Sequence, residues 1–148
     1  MSDFEPTLVV SLTVSNGSEA LDFYAKAFGA EELYRITAPD GSVAQAEFKI
    51  GNSHVYLSEG DAAWHAKALD EGENAPCLFA LWVDNCDEAF QKALAAGAEP
   101  LMEPQDQFWG MRTGMVKDKD GYRWNLRHTF EEVSLEEVKR RAKELMGG

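Results

Sequence analysis

Two stretches decide the fold: Val14–Leu33, VSNGSEALDFYAKAFGAEEL, and Val83–Leu101, VDNCDEAFQKALAAGAEPL. Val14, Asn16, Glu19 and Ala20 return 69 positions later as Val83, Asn85, Glu88 and Ala89. One residue is then deleted, and Gly29-Ala30-Glu31-x-Leu33 returns as Gly97-Ala98-Glu99-x-Leu101. Each copy reads as a strand, a cap, an amphipathic helix, a Gly stop and a further strand. Asn followed three residues on by Glu has the form of a capping box. A period near 70 residues is too long for a solenoid unit and too short for two ordinary domains. It predicts two half-domains, each a βαβββ unit, around a shared concave site.

Outward from the first copy, Leu8–Val14 reads as a buried strand and the helix runs to about Phe28. Glu32–Thr37, Val43–Ile50 and His54–Ser58 then form a meander through turns at Pro39-Asp40-Gly41 and Gly51-Asn52. In the second copy Cys77–Val83 is a strand, Asp87–Ala96 a helix and Glu99–Met102 a strand. Pro104–Gly114 reads as a loop, Met115–Lys117 and Tyr122–Arg127 as strands, and Asp118–Gly121 as the hairpin turn between them. The expected organisation is a single α+β domain over residues 1–148 with modules at about 7–59 and 77–128. Residues 60–76 form a linker, and a C-terminal helix opens at Ser134-x-x-Glu137 and covers about 134–146.

A length of 148 residues suffices for a core without staples. Cys77 and Cys86 therefore read as reduced thiols rather than a disulfide framework. A net charge of −12 opposes nucleic acid, although one local basic group can still hold a small anion. No apolar run approaches the roughly 18 residues that span a bilayer, and MSDFEPT lacks a basic-then-apolar leader. The expectation is a cytoplasmic protein with neither membrane nor nucleic-acid partners.

The paired copies, the helix start EALDFYAKAFGAE and the closing DKDGYRWNL resemble the vicinal oxygen chelate superfamily of glyoxalases, bleomycin-resistance proteins and extradiol dioxygenases. DQFWGMRTGMVKDKDGYRWNL followed by an acidic helical tail resembles its PhnB-like branch. The resemblance implies paired sheets and a homodimer. In metal-dependent members it implies one divalent ion held by a His, Gln or Glu on each first strand and a Glu on each last strand. Those positions fall here on Val9, Leu78, Tyr56 and Asn125. Val and Leu cannot ligate, and Tyr and Asn are poor ligands at neutral pH. Moving two positions finds His54 in one copy and Arg123 in the other. No metal and no cofactor are expected.

The remaining candidates are Phe108, Trp109 and Arg112, where a flat apolar wall adjoins a cation suited to a carboxylate, phosphate or sulfonate. Tyr56, Asn125 and His54 complete the expected ligand-binding set. Each has a structural alternative: Trp109 plugging the sheet, Arg112 pairing with an acid, and His54, like His65 and His128, an isolated surface or satisfied histidine. By strand alternation Trp124 opposes Asn125. The leading reading is a metal-free binder of a small, partly apolar organic ligand in the cleft between the modules. The others are a metal-dependent lyase, isomerase or dioxygenase with atypical ligands such as His54 and Asn125, and a regulatory or assembly protein with a vestigial site.

Overall fold

In the first module, strand β1 (Val10–Thr13) ends where Asn16 takes an extended backbone, φ −140° and ψ 103°. Its Oδ1 accepts the Glu19 backbone N–H at 3.0 Å and opens helix α1 (Gly17–Phe28). This satisfies one of the donors that every helix start leaves over. Gly29, at φ 68°, closes the helix in the left-handed conformation. Strands β2 (Glu31–Thr37), β3 (Val43–Ile50) and β4 (Ser53–Ser58) follow as an antiparallel meander, and β4 lies parallel to β1. The sheet order is β1-β4-β3-β2.

The second module repeats the plan. Strand β5 (Leu78–Trp82) leads to Asn85, whose Oδ1 accepts the Glu88 N–H at 3.0 Å to open helix α2 (Cys86–Ala95). Strands β6 (Glu99–Asp106), β7 (Met111–Lys117) and β8 (Arg123–Thr129) give the order β5-β8-β7-β6, with β5 parallel to β8. A third capped helix, α3 (Leu135–Leu145), opens at Ser134. The fold class is α+β with two βαβββ modules. This computed structural model describes residues 6–147. They divide into two compact units: residues 6–75 with Lys119–Gly121, and Pro76–Asp118 with residues 122–147.

One face of each sheet is packed beneath its helix. In the first unit Tyr24 of α1 stacks on Phe48 with centroids 5.2 Å apart, over buried Leu12, Ala46 and Leu57. In the second, Phe90 of α2 is fully buried with Val116 and Leu126. Gly114 admits that ring, since a Cβ there would lie 3.2 Å from Phe90 Cδ2. Removing a ring so packed costs about 3–5 kcal/mol.

The expected loop at Pro104–Gly114 is corrected: β6 and β7 run through most of it, leaving a short connection at 107–110. The expected strand stopped at Met102, short of Pro104, whereas β6 continues through Pro104 to Asp106. An edge strand tolerates proline, and β6 adds register shifts between Pro100 and Gln105. The β1 strand is also shorter than Leu8–Val14. In residues 60–76 the one helical piece is a 3-10 turn at Ala62–Trp64.

Asn16→Ala and Asn85→Ala should each lower stability by about 1 kcal/mol in urea denaturation, and the double variant by about 2 kcal/mol. An unchanged midpoint in either single variant would show that its helix does not depend on its cap.

Candidate functional site

Strand pleating assigns the side chains of β8 to two faces. Trp124 and Leu126 point under α2: Leu126 is fully buried, and Trp124 lies 4.9 Å from the Phe79 ring and donates from Nε1 to Asp118 Oδ2 at 2.9 Å. Arg123, Asn125 and Arg127 must then occupy the face away from α2. On β5 their register partners are Leu78, Ala80 and Trp82; on β7 they are Lys117, Met115 and Thr113. Asn125 Oδ1 accepts both Nε–H and Nη2–H of Arg127, at 2.9 and 2.6 Å. Met111 Sδ lies 3.9 Å from Arg127 Nη1, and Gln107 Nε2 donates to Thr113 Oγ1 at 3.1 Å. The Nε of Arg123 is buried with no hydrogen-bond partner among the described residues. Among the described residues neither Arg123 nor Arg127 forms an ion pair, in a chain of net charge −12.

The residues singled out from sequence fall in different places. His54 and Tyr56 share a face of β4 in the first unit with Lys49 and Glu47, their partners on β3. His54 Nδ1 lies 2.6 Å from Glu47 Oε2. In the second unit Asn125 lies on the face away from α2, whereas Arg112 pairs in register with His128 on the opposite face. There the Arg112 guanidinium is held by Asp87 at 2.7 and 2.9 Å and by Asp106 at 3.0 Å. Its hydrogen bonds to Asp87, then to Asp106, push its pKa above the ordinary value, so its charge is permanent and already matched. His128 Nδ1 accepts the Cys86 backbone N–H at 2.8 Å, a structural role at the start of α2. Burial, then the Asp87 charge, pushes the Cys86 thiol up and away from nucleophilic use.

Phe108 and Trp109 meet edge to face at 4.9 Å in the β6–β7 connection. Gly110, at φ 90°, is packed against the chain after β8: a Cβ there would sit 2.2 Å from the Glu131 carbonyl oxygen. The Gly110 carbonyl accepts the N–H groups of Phe130 and Glu131, and Arg141 of α3 donates to the Phe108 carbonyl at 2.9 Å. The connection is pinned, and its aromatics are half-buried. Reading alternation outward from Trp124 would have found Arg127; no sequence motif marks it.

A separate depression of about 450 Å³ in the first unit is lined by Glu19, Asp22 and Glu32, with Arg35 held by Glu32 at 2.7 Å. Its lone cation is already paired, and it offers no reactive group.

The four positions at which the resemblance implies metal ligands do not fit a divalent ion. Val9 and Leu78 are hydrocarbon, and the one good oxygen donor of Asn125 faces a guanidinium. Among the described residues no group of three or more His, Cys, Asp or Glu is placed to hold a metal. No helix of the described residues is long and apolar enough to cross a membrane.

Residues 8–126 match the family model described as the glyoxalase/bleomycin resistance protein/dioxygenase superfamily. The chain belongs to that superfamily. An uncharacterized protein of Mycobacterium bovis is 36% identical over 140 residues, covering 90% of each chain. TioX from Micromonospora sp. ML1 superposes with a TM-score of 0.64 at 26% identity, over 84% of this chain and 99% of that one. A mutant of the fosfomycin resistance protein FosX from Listeria monocytogenes, complexed with Mn(II) and dihydroxypropylphosphonic acid, gives 0.66 at 22% identity, over 94% and 98%. At that identity the likeness is one of fold alone.

The hydrogen bond from Arg112, with its charge, holds the Asp87 carboxyl below the usual carboxylate range. A carboxylate depressed in the folded state stabilises above its unfolded pKa, and that contribution is lost as pH falls through the folded value. In Arg112→Gln the Asp87 side-chain NMR titration should move up to the ordinary range, and the acid limb of stability should flatten between the two values. An Asp87 titration indifferent to the substitution would remove Arg112 as the cause.

Proposed function

We propose that this superfamily member works without a metal and binds a small, partly apolar organic ligand against the face of the second sheet that turns away from α2. The observation that carries the reading is the hydrogen-bonded pair of Asn125 and Arg127 at a position where metal-dependent relatives present a carboxylate. A fixed guanidinium there gives a site a positive charge without an ion. Trp82, Leu78 and Met115 give the same face apolar contact area, and ligand sites combine such surface with a few polar anchors. Trp82 and Leu78 are 58% and 43% exposed, which leaves them accessible to a ligand. We assign the chain to the PhnB-like branch on its closing motif and acidic tail, and propose a homodimer, the usual twofold assembly of such domains.

A second reading is an enzyme built on the Glu47–His54 pair beside Tyr56, since an imidazole held by a carboxylate is a ready proton acceptor. Metal analysis of protein purified without chelator separates the two readings. Less than about one-tenth of an equivalent of Zn, Ni, Mn or Fe is expected. A stoichiometric metal lost in His54→Ala would replace the binder with the enzyme. A thermal-shift screen of small aromatic compounds should raise Tm by several degrees for some of them, and no shift with any would sink the binding reading.

A further inference from the structure

Resting on that reading, we infer that the ligand carries an oxyanion, a carboxylate or a phosphoryl group, and that Arg127 and Arg123 receive it. Arg123 and Arg127 are four residues apart, roughly 13 Å along an extended strand, too far for two side chains standing upright to share one small group. Asn125 changes this. By accepting from both Nε and Nη2, its Oδ1 draws the Arg127 side chain back along β8 over the strand's middle. The guanidinium therefore lies one pleat from Arg123, and Asn125 is the positioning residue.

The donor inventory points the same way. A guanidinium has five N–H groups, and Asn125 takes two from Arg127. Nη1 meets the Met111 sulfur, a weak acceptor, at 3.9 Å. Arg123 keeps its Nε–H buried with no acceptor among the described residues, a condition folded proteins seldom leave unanswered. The other arginines hydrogen-bonded on the surface, Arg35, Arg112, Arg140 and Arg141, are all held by carboxylates. Arg127 differs from them: among the described residues its oxygen acceptor is the Asn125 amide and no carboxylate pairs with it, which orients the cation and leaves its charge unspent. Register also places Lys117 beside Arg123, with Glu99 across from it on β6. Trp82, the register partner of Arg127, offers a flat wall for the apolar body of an anion.

The test uses four probes on the intact chain: benzoate, its neutral isostere benzamide, phenylphosphonate and inorganic phosphate. Calorimetry should show benzoate or phenylphosphonate binding at least tenfold more tightly than benzamide, and their order distinguishes a carboxylate site from a phosphoryl site. Phosphate alone should bind more weakly than phenylphosphonate, because it lacks the body that meets Trp82. Arg127→Gln and Arg123→Gln should each weaken the preferred anion about tenfold or more, while Arg140→Gln leaves it unchanged. Asn125→Asp keeps size and shape but places a carboxylate under Arg127, and should cost as much as Arg127→Gln; this variant decides the matter should Arg127→Gln fold poorly. If benzamide binds as well as benzoate and Asn125→Asp changes nothing, the anion inference fails while the small-molecule reading stands. If none of the aromatic probes binds and the wider screen is silent too, both fall.

Discussion

The burial of Trp124 and Leu126 beneath α2 is the constraint on which the second unit depends. A strand has a period of two, so once those side chains are packed the facing of every neighbour on β8 is settled. Trp124 is anchored twice, by its contact with Phe79 and by its bond to Asp118, and Leu126 lies under the same helix. A one-residue slip would bury Arg123 and Arg127 in the apolar layer and expose an indole and an isobutyl group. Burying unpaired guanidinium groups is costly enough to exclude that register. The core residues thus fix the face on which the arginines stand.

Charge on the two faces of this sheet is handled in opposite ways. Under α2, Arg112 is enclosed by Asp87 and Asp106, and the three groups form a closed ionic unit near the helix start. Acidic residues are favourable there in any case, since the first turn of a helix carries a partial positive charge. On the far face the partner of Arg127 is an amide. An amide fixes direction while a carboxylate also cancels charge, and that chemical difference separates a structural arginine from one able to meet a ligand.

Most of the scaffold was legible in the sequence because its signals are local. Asn16, Asn85 and Ser134 cap their helices as the spacing to Glu19, Glu88 and Glu137 predicts. The β6–β7 region reads as a loop from Pro104 because proline is a strong breaker signal, and only the sheet order shows that β6 is an edge where that signal is harmless. The site was less legible still. Arg112 stood beside Phe108 and Trp109 in sequence and looked like the free cation, but its neutralising partners come from α2 and β6, which spacing does not reveal. Arg123 was met only as a failed metal ligand, and Arg127 lacked any motif; their significance lies in what does not pair with them.

The two modules show how far a duplicated scaffold lets chemistry diverge. Positions 54, 56 and 58 of β4 correspond, 69 residues on, to 123, 125 and 127 of β8. The backbone environment is the same in both: a last strand flanked by a parallel first strand and an antiparallel third. On β4 those positions are His54, Tyr56 and Ser58, and Glu47 across the sheet takes His54 into a carboxylate–imidazole pair. On β8 they are Arg123, Asn125 and Arg127, and the residue across from Asn125 is the apolar Met115. Placing a carboxylate where Met115 stands would neutralise the guanidinium as Asp87 neutralises Arg112. Keeping hydrocarbon there preserves an uncancelled positive charge in an acidic protein, a condition that core packing alone gives no reason to maintain.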